Sequence, residues 1–96
     1  MTIKQYQEAI EQFKEAVKQQ PENAEIWCSW GIALVELQQY LEAVEKFEKA
    51  LEVKPDFVPA LYGCGFALNA LDRKEEASKK FKKAKEIAPD GVEDSS

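Results

Sequence analysis

Apolar side chains in residues 4–19 fall at Tyr6, Ile10, Phe13 and Val17, spaced four, three and four apart, the rhythm of one stripe along an α-helix. The rhythm returns in 24–37 through Ile26, Trp27, Trp30, Ala33, Leu34 and Leu37, and in 40–53 through Tyr40, Ala43, Val44, Phe47, Ala50 and Leu51. The polar pair Gln38-Gln39 separates these two segments and is short, as a helical hairpin requires. A second hairpin follows the same plan, turning at Asp72-Arg73-Lys74 and ending in a helix over 74–88. Pro55 and Pro89 close the second helix of each hairpin, because the residue before a proline is pushed out of the helical region. At the start of the chain, Thr2 and Gln5 have capping-box spacing. The pattern predicts an all-α chain of five helices. Charge adds four i,i+4 pairs in the favourable order, Glu42/Lys46, Glu45/Lys49, Glu75/Lys79 and Glu76/Lys80, each worth about 0.2–0.5 kcal/mol.

The two hairpins are copies of one unit. Laid over one another at an offset of 34 residues, 22–55 and 56–89 share 12 identities, and 4–21 laid over 38–55 shares eight more. A fixed period of this length is the mark of a stacked repeat. The shared positions are mainly small, aromatic or apolar: Gly31/Gly65, Ala43/Ala77, Phe47/Phe81, Ala50/Ala84 and Pro55/Pro89 among them. The small residues let paired helices approach closely, and Phe47 and Phe81 fill the space between them. Trp27-x2-Trp30-Gly31-x2-Leu34 followed by Ala43-x3-Phe47, Ala50 and Pro55 resembles the tetratricopeptide repeat (TPR) family. The pattern recurs as Leu61-x2-Cys64-Gly65-x2-Leu68 followed by Ala77-x3-Phe81, Ala84 and Pro89. Departures are mild: leucine at 34 and 68 for tyrosine, Trp30 and Cys64 for leucine, and Lys74 for the tyrosine opening the last helix. The resemblance implies an antiparallel helix-hairpin solenoid, with TPR units over 22–55 and 56–89 and the second half of a unit over 1–20.

That lone first helix has no preceding partner. Tyr6, Ile10, Phe13 and Val17 therefore read as an open edge, and a homodimer joined through them is one expectation. The other end looks closed: the helix over 74–88 carries Lys79, Lys80, Lys82, Lys83 and Lys85 around a thin stripe of Ala77, Phe81, Ala84, Ile87 and Ala88. Residues 90–96 form an acidic tail, expected to be disordered.

Composition narrows the chemistry. The 96-residue chain is 45% hydrophobic and 32% charged with a net charge of −5, enough for one small domain. Histidine is absent, which removes the commonest general base and zinc ligand. Cys28 and Cys64 have neither metal-binding spacing nor a histidine to activate a thiolate. The carboxylate pairs Glu75-Glu76 and Glu22/Glu25 fall on exposed helix faces, and Gly63-Cys64-Gly65 lies inside a helix rather than in a phosphate loop. The sequence thus points away from an enzyme, and no cofactor or metal is implied. No apolar run approaches a membrane span, and the location expected is cytoplasmic. Residues 1–48 hold 4 basic and 9 acidic side chains, and 49–96 hold 9 of each. The lysine run at 79–85 is therefore a solvated helix face, without the interleaved aromatics of a nucleic-acid platform.

Family members line a concave groove with the first helix of each unit. Carried over by phase, the groove residues are Glu25, Cys28, Ile32, Val35 and Glu36, then Pro59, Tyr62, Phe66, Asn69 and Ala70. Some members clamp the C-terminal carboxylate of chaperones with lysine and asparagine where this chain has Cys28, Ile32 and Gly63. A carboxylate needs cationic or amide donors, so that specialisation is not expected. The expected function is protein–protein interaction, with a peptide or helix of a partner protein docked in the groove.

Overall fold

The computed structural model describes residues 1–89; the expectation for 90–96 lies outside the described residues. Five helices follow one another: α1 (Ile3–Gln19), α2 (Ala24–Glu36), α3 (Tyr40–Val53), α4 (Val58–Ala70) and α5 (Lys74–Ile87). The Thr2 capping box forms, with the Gln5 amide 3.2 Å from Thr2 Oγ1 and the Thr2 amide 2.8 Å from Gln5 Oε1. Asn23 caps α2 by accepting the Glu25 and Ile26 amides at 3.0 and 3.3 Å.

The hairpin turns hold a detail that composition hides. Gln38 and Asp72 have positive φ, 60° and 64°, and the following amides reach back into their helices, Gln39 to Leu34 O at 2.8 Å and Arg73 to Leu68 O at 2.9 Å. Both are Schellman caps, which favour glycine at the left-handed position. Gln38→Gly and Asp72→Gly should therefore each raise stability by about 1 kcal/mol, because a side chain is strained there. Thermal melts check this, with about 4–8 °C expected per kcal/mol in a domain of this size.

Each helix packs on the next in order, and α2 also packs along α4, whereas α1, α3 and α5 keep their backbones apart. The first helices of the units are thus the crowded layer and the second helices fan outward, which makes the α2–α4 surface the inner curve. Between the layers Ala43, Phe47, Ala50, Ala60, Cys64, Ala67 and Ala84 are wholly covered. Phe47 is the keystone. A Cβ added at Gly31 would meet its ring at 2.8 Å, and one added at Gly63 at 2.5 Å, so α2 and α4 close on the ring only because both positions lack a side chain. Gly65 makes the same approach to Phe81, at 2.7 Å.

The two ends of the solenoid are less different than an open edge and a closed one. Ile10 is buried, and Tyr6, Phe13 and Val17 pack against the core; the stripe proposed as a self-association edge is used on α2. A helix with a single stripe can satisfy one neighbour, and the rest of α1 is largely polar and exposed. At the other end Phe81 is only half-buried and Ile87 is 41% exposed. A hollow of about 480 Å³ lined by Ser78, Phe81, Lys82, Lys85 and Glu86 lies over that ring, on the helix that sequence made the closed end.

The four i,i+4 pairs also differ. Lys80 reaches across helices to Glu48 at 3.3 Å, Lys49 to Glu52 at 3.8 Å, and Glu76 takes Arg73 at 2.7 Å. Lys46 instead stands 4.2 Å from the centre of the Trp30 ring, where a cation gains from the ring face. Trp27 stacks on Trp30 with centroids 5.6 Å apart. Trp27 Nε1 donates to Pro21 O at 2.8 Å, while the buried Trp30 Nε1 has no acceptor among the described residues.

Candidate functional site

The inner curve is built from two helices with unusually plain sequences. Neither α2 nor α4 contains a lysine or arginine, and their outward-facing positions carry large apolar groups that the core does not use. Ile32 is 48% exposed and Phe66, one repeat later, is 56% exposed. Tyr40, from the first turn of α3, brings its ring to 6.4 Å from that of Phe66. Glu36 lies one helical turn beyond Ile32 and Asn69 nearly one beyond Phe66, both exposed. These side chains make an apolar patch with a polar margin at the C-terminal ends of α2 and α4.

The remaining groove residues scatter. Val35 and Tyr62 are half-buried, and the Tyr62 ring leans on Phe81 at 6.0 Å, so both belong as much to the core as to the surface. Pro59 and Ala70 are exposed. Glu25 is exposed two turns before Ile32 and opens on a different, larger hollow of about 690 Å³, shared with Asn23, Lys54 and Phe57. Cys28 is a correction: it is 4% exposed and sits in the core, out of reach of a partner. Helical phase places Cys28 at the boundary between groove and seam, and the packing resolves it inward.

Tyr40 was missed because its spacing reads as core. A signal was present: the matching position of the next unit is Lys74, and a site that accepts lysine faces water.

The thiols are inert by environment. Burial, with Glu25 nearby, pushes Cys28 up to about 11, and burial, with Glu48 beside it, pushes Cys64 up to about 12. Neither forms a thiolate near neutrality, and neither is in a disulfide. Among the described residues no three histidine, cysteine or carboxylate side chains gather as a metal site, and no helix is long and apolar enough to cross a membrane.

A family model for the TPR repeat matches residues 3–38 and again 31–72. The chain belongs to the TPR family. Among solved structures it is similar to the Arabidopsis OM64 TPR domain, with a TM-score of 0.86 and 30% identity over 90% of this chain and 71% of that one. It is also similar to MamA (AMB-1), with a TM-score of 0.84 and 28% identity over 91% of this chain; it spans 48% of MamA. The second TPR of Spaghetti (RPAP3), bound to the HSP90 peptide SRMEEVD, has the same fold at 23% identity, with a TM-score of 0.84 over 85% of this chain and 76% of that one. No curated protein matches in sequence.

Proposed function

We propose that this TPR solenoid is a protein-interaction module, a scaffold or adaptor, that seats a peptide or helix of a partner protein on the concave α2–α4 face. The observation that carries the reading is the exposure of Ile32 and Phe66 at matching positions of two helices that pack together, with the Tyr40 ring beside Phe66. Exposed apolar surface concentrated on one concave face is the kind of surface that docks a partner. Membership of the TPR family and the peptide-bound RPAP3 neighbour support the same reading, and the inert thiols favour interaction over catalysis. Two reduced, unbridged cysteines suit a cytoplasmic setting.

The test begins with peptides selected from a displayed library on the intact chain and mapped by amide shift perturbation. Perturbations should centre on Ile32, Val35, Phe66 and Asn69. Phe66→Asp should weaken binding by more than about tenfold, since a carboxylate would be desolvated against an apolar ligand, while moving stability by no more than about 0.5 kcal/mol. Perturbations confined to α1 or α5, or full binding by Phe66→Asp, would show the groove assignment to be wrong.

A further inference from the structure

Charge on this molecule is sorted by layer. Every lysine and the one arginine lie on α1, α3 and α5 or in the turns, and the only charged side chains of α2 and α4 are Glu25 and Glu36. Among the described residues the ion pairs engage Glu11, Glu15, Glu48, Glu52, Asp72 and Glu76; neither groove carboxylate takes part.

The helix ends reinforce that sign. Ile32, Phe66 and Glu36 sit toward the C-terminal ends of α2 and α4, where aligned peptide dipoles concentrate negative charge. No basic residue occupies the last turn of either helix to offset it. Glu36 adds a full charge one turn from Ile32, about 6 Å along the axis. Glu25 lies on the same helix about 10 Å the other way, so the two carboxylates flank the apolar patch about 16 Å apart.

From this we infer that the occupant of the groove is a basic, apolar-anchored peptide segment: an aliphatic or aromatic side chain seated on Phe66 and Ile32, with a lysine or arginine reaching Glu36 and a second cation directed toward Glu25. The inference rests on the groove reading and adds the chemistry of the ligand. An acidic segment would meet Glu36 and two negative helix ends, with no cation on either lining helix to receive it; Lys54 borders the separate hollow at Glu25, at the far end of α2. Like-charge juxtaposition of that kind rejects a ligand even where its apolar anchor fits.

The experiment uses the whole chain and three fluorescently labelled peptides of equal length, read by anisotropy. One has lysines flanking a central phenylalanine, one has glutamates in place of those lysines, and one keeps the lysines but has alanine in place of phenylalanine. The first should bind about tenfold or more tighter than the second, as expected when one or two charge contacts change sign. Raising salt from about 0.1 M to about 1 M, where the screening length falls from about 10 to about 3 Å, should shrink the gap. Glu36→Lys should narrow or invert the preference while the fold is kept, because a cation suits a helix C-terminus. Phe66→Ala should weaken the first peptide by about tenfold or more, and the alanine peptide should bind no better than that.

Tighter binding of the glutamate peptide, still lost in Phe66→Ala, would overturn the charge inference and leave the groove standing. Equal binding of both lysine peptides, unmoved by Phe66→Ala, would reduce the effect to attraction by the net charge of −5 and overturn the inference. If none of the three bound, the groove reading would fall with it.

Discussion

Phe47→Ala should lower the stability of this domain by about 3–5 kcal/mol, the range for deleting a buried aromatic ring. Small domains have only about 5–15 kcal/mol in total, so the variant should be substantially unfolded in mild denaturant. The ring is wholly buried and is gripped from two sides, by the backbone of α2 at Gly31 and of α4 at Gly63. Ala43 and Ala50 hold α3 against its neighbours with no exposed surface of their own, so the walls have little freedom to collapse into the hole. Phe81→Ala is the internal control. It removes the same ring at the same position of the next repeat, but there the ring is half-buried and meets one glycine instead of two. Its cost should be about half, near 2 kcal/mol. Urea unfolding of the two variants gives the comparison, and equal losses would mean that the two-sided grip on Phe47 contributes nothing.

Gly63→Leu should be nearly as damaging by the opposite route, about 3 kcal/mol or more from overpacking. A Cβ alone would lie 2.5 Å from ring atoms of Phe47, and that ring has nowhere to move. Helix propensity works the other way, because leucine exceeds glycine by somewhat less than about 1 kcal/mol in a helix interior; the steric term is larger and decides the sign. Combining the two changes tests the cause. In Phe47→Ala/Gly63→Leu the leucine can enter the space the ring vacates, so the double variant should be more stable than the sum of the single losses by about 1–3 kcal/mol. Strict additivity would show that the two sites do not share one space.

The repeat made most of the fold legible. Matches at 34-residue spacing and closure by Pro55 and Pro89 placed the helix ends to within about one residue, as helix boundaries allow. What periodicity could not convey was direction. It showed that Tyr6, Ile10, Phe13 and Val17 form a stripe, but a stripe on a lone helix is silent about which neighbour takes it, and α2 does. The left-handed turns were hidden because Gln38 and Asp72 are not glycines. The lysines were misassigned for a related reason: spacing along one helix ignores an aromatic face on another, and Lys46 stands over Trp30. In the groove, Ile32 and Phe66 were legible because one repeat reproduces the other. Cys28 was not, since its phase falls on the seam, and Tyr40 arrives from a different helix.

Both tryptophans of the chain, Trp27 and Trp30, are stacked on α2. Indole fluorescence is therefore a local thermometer for the first repeat, whereas helical ellipticity averages over all five helices. The half-covered ring of Phe81 makes α5 the weak end of the stack, and a solenoid held by nearest-neighbour contacts can open from its weak end. On heating, ellipticity should begin to fall before the indole signal moves, so the two curves should part at the foot of the transition. Superimposable curves would instead mark all five helices as one cooperative unit, with the grip on Phe47 felt as far away as Ile87.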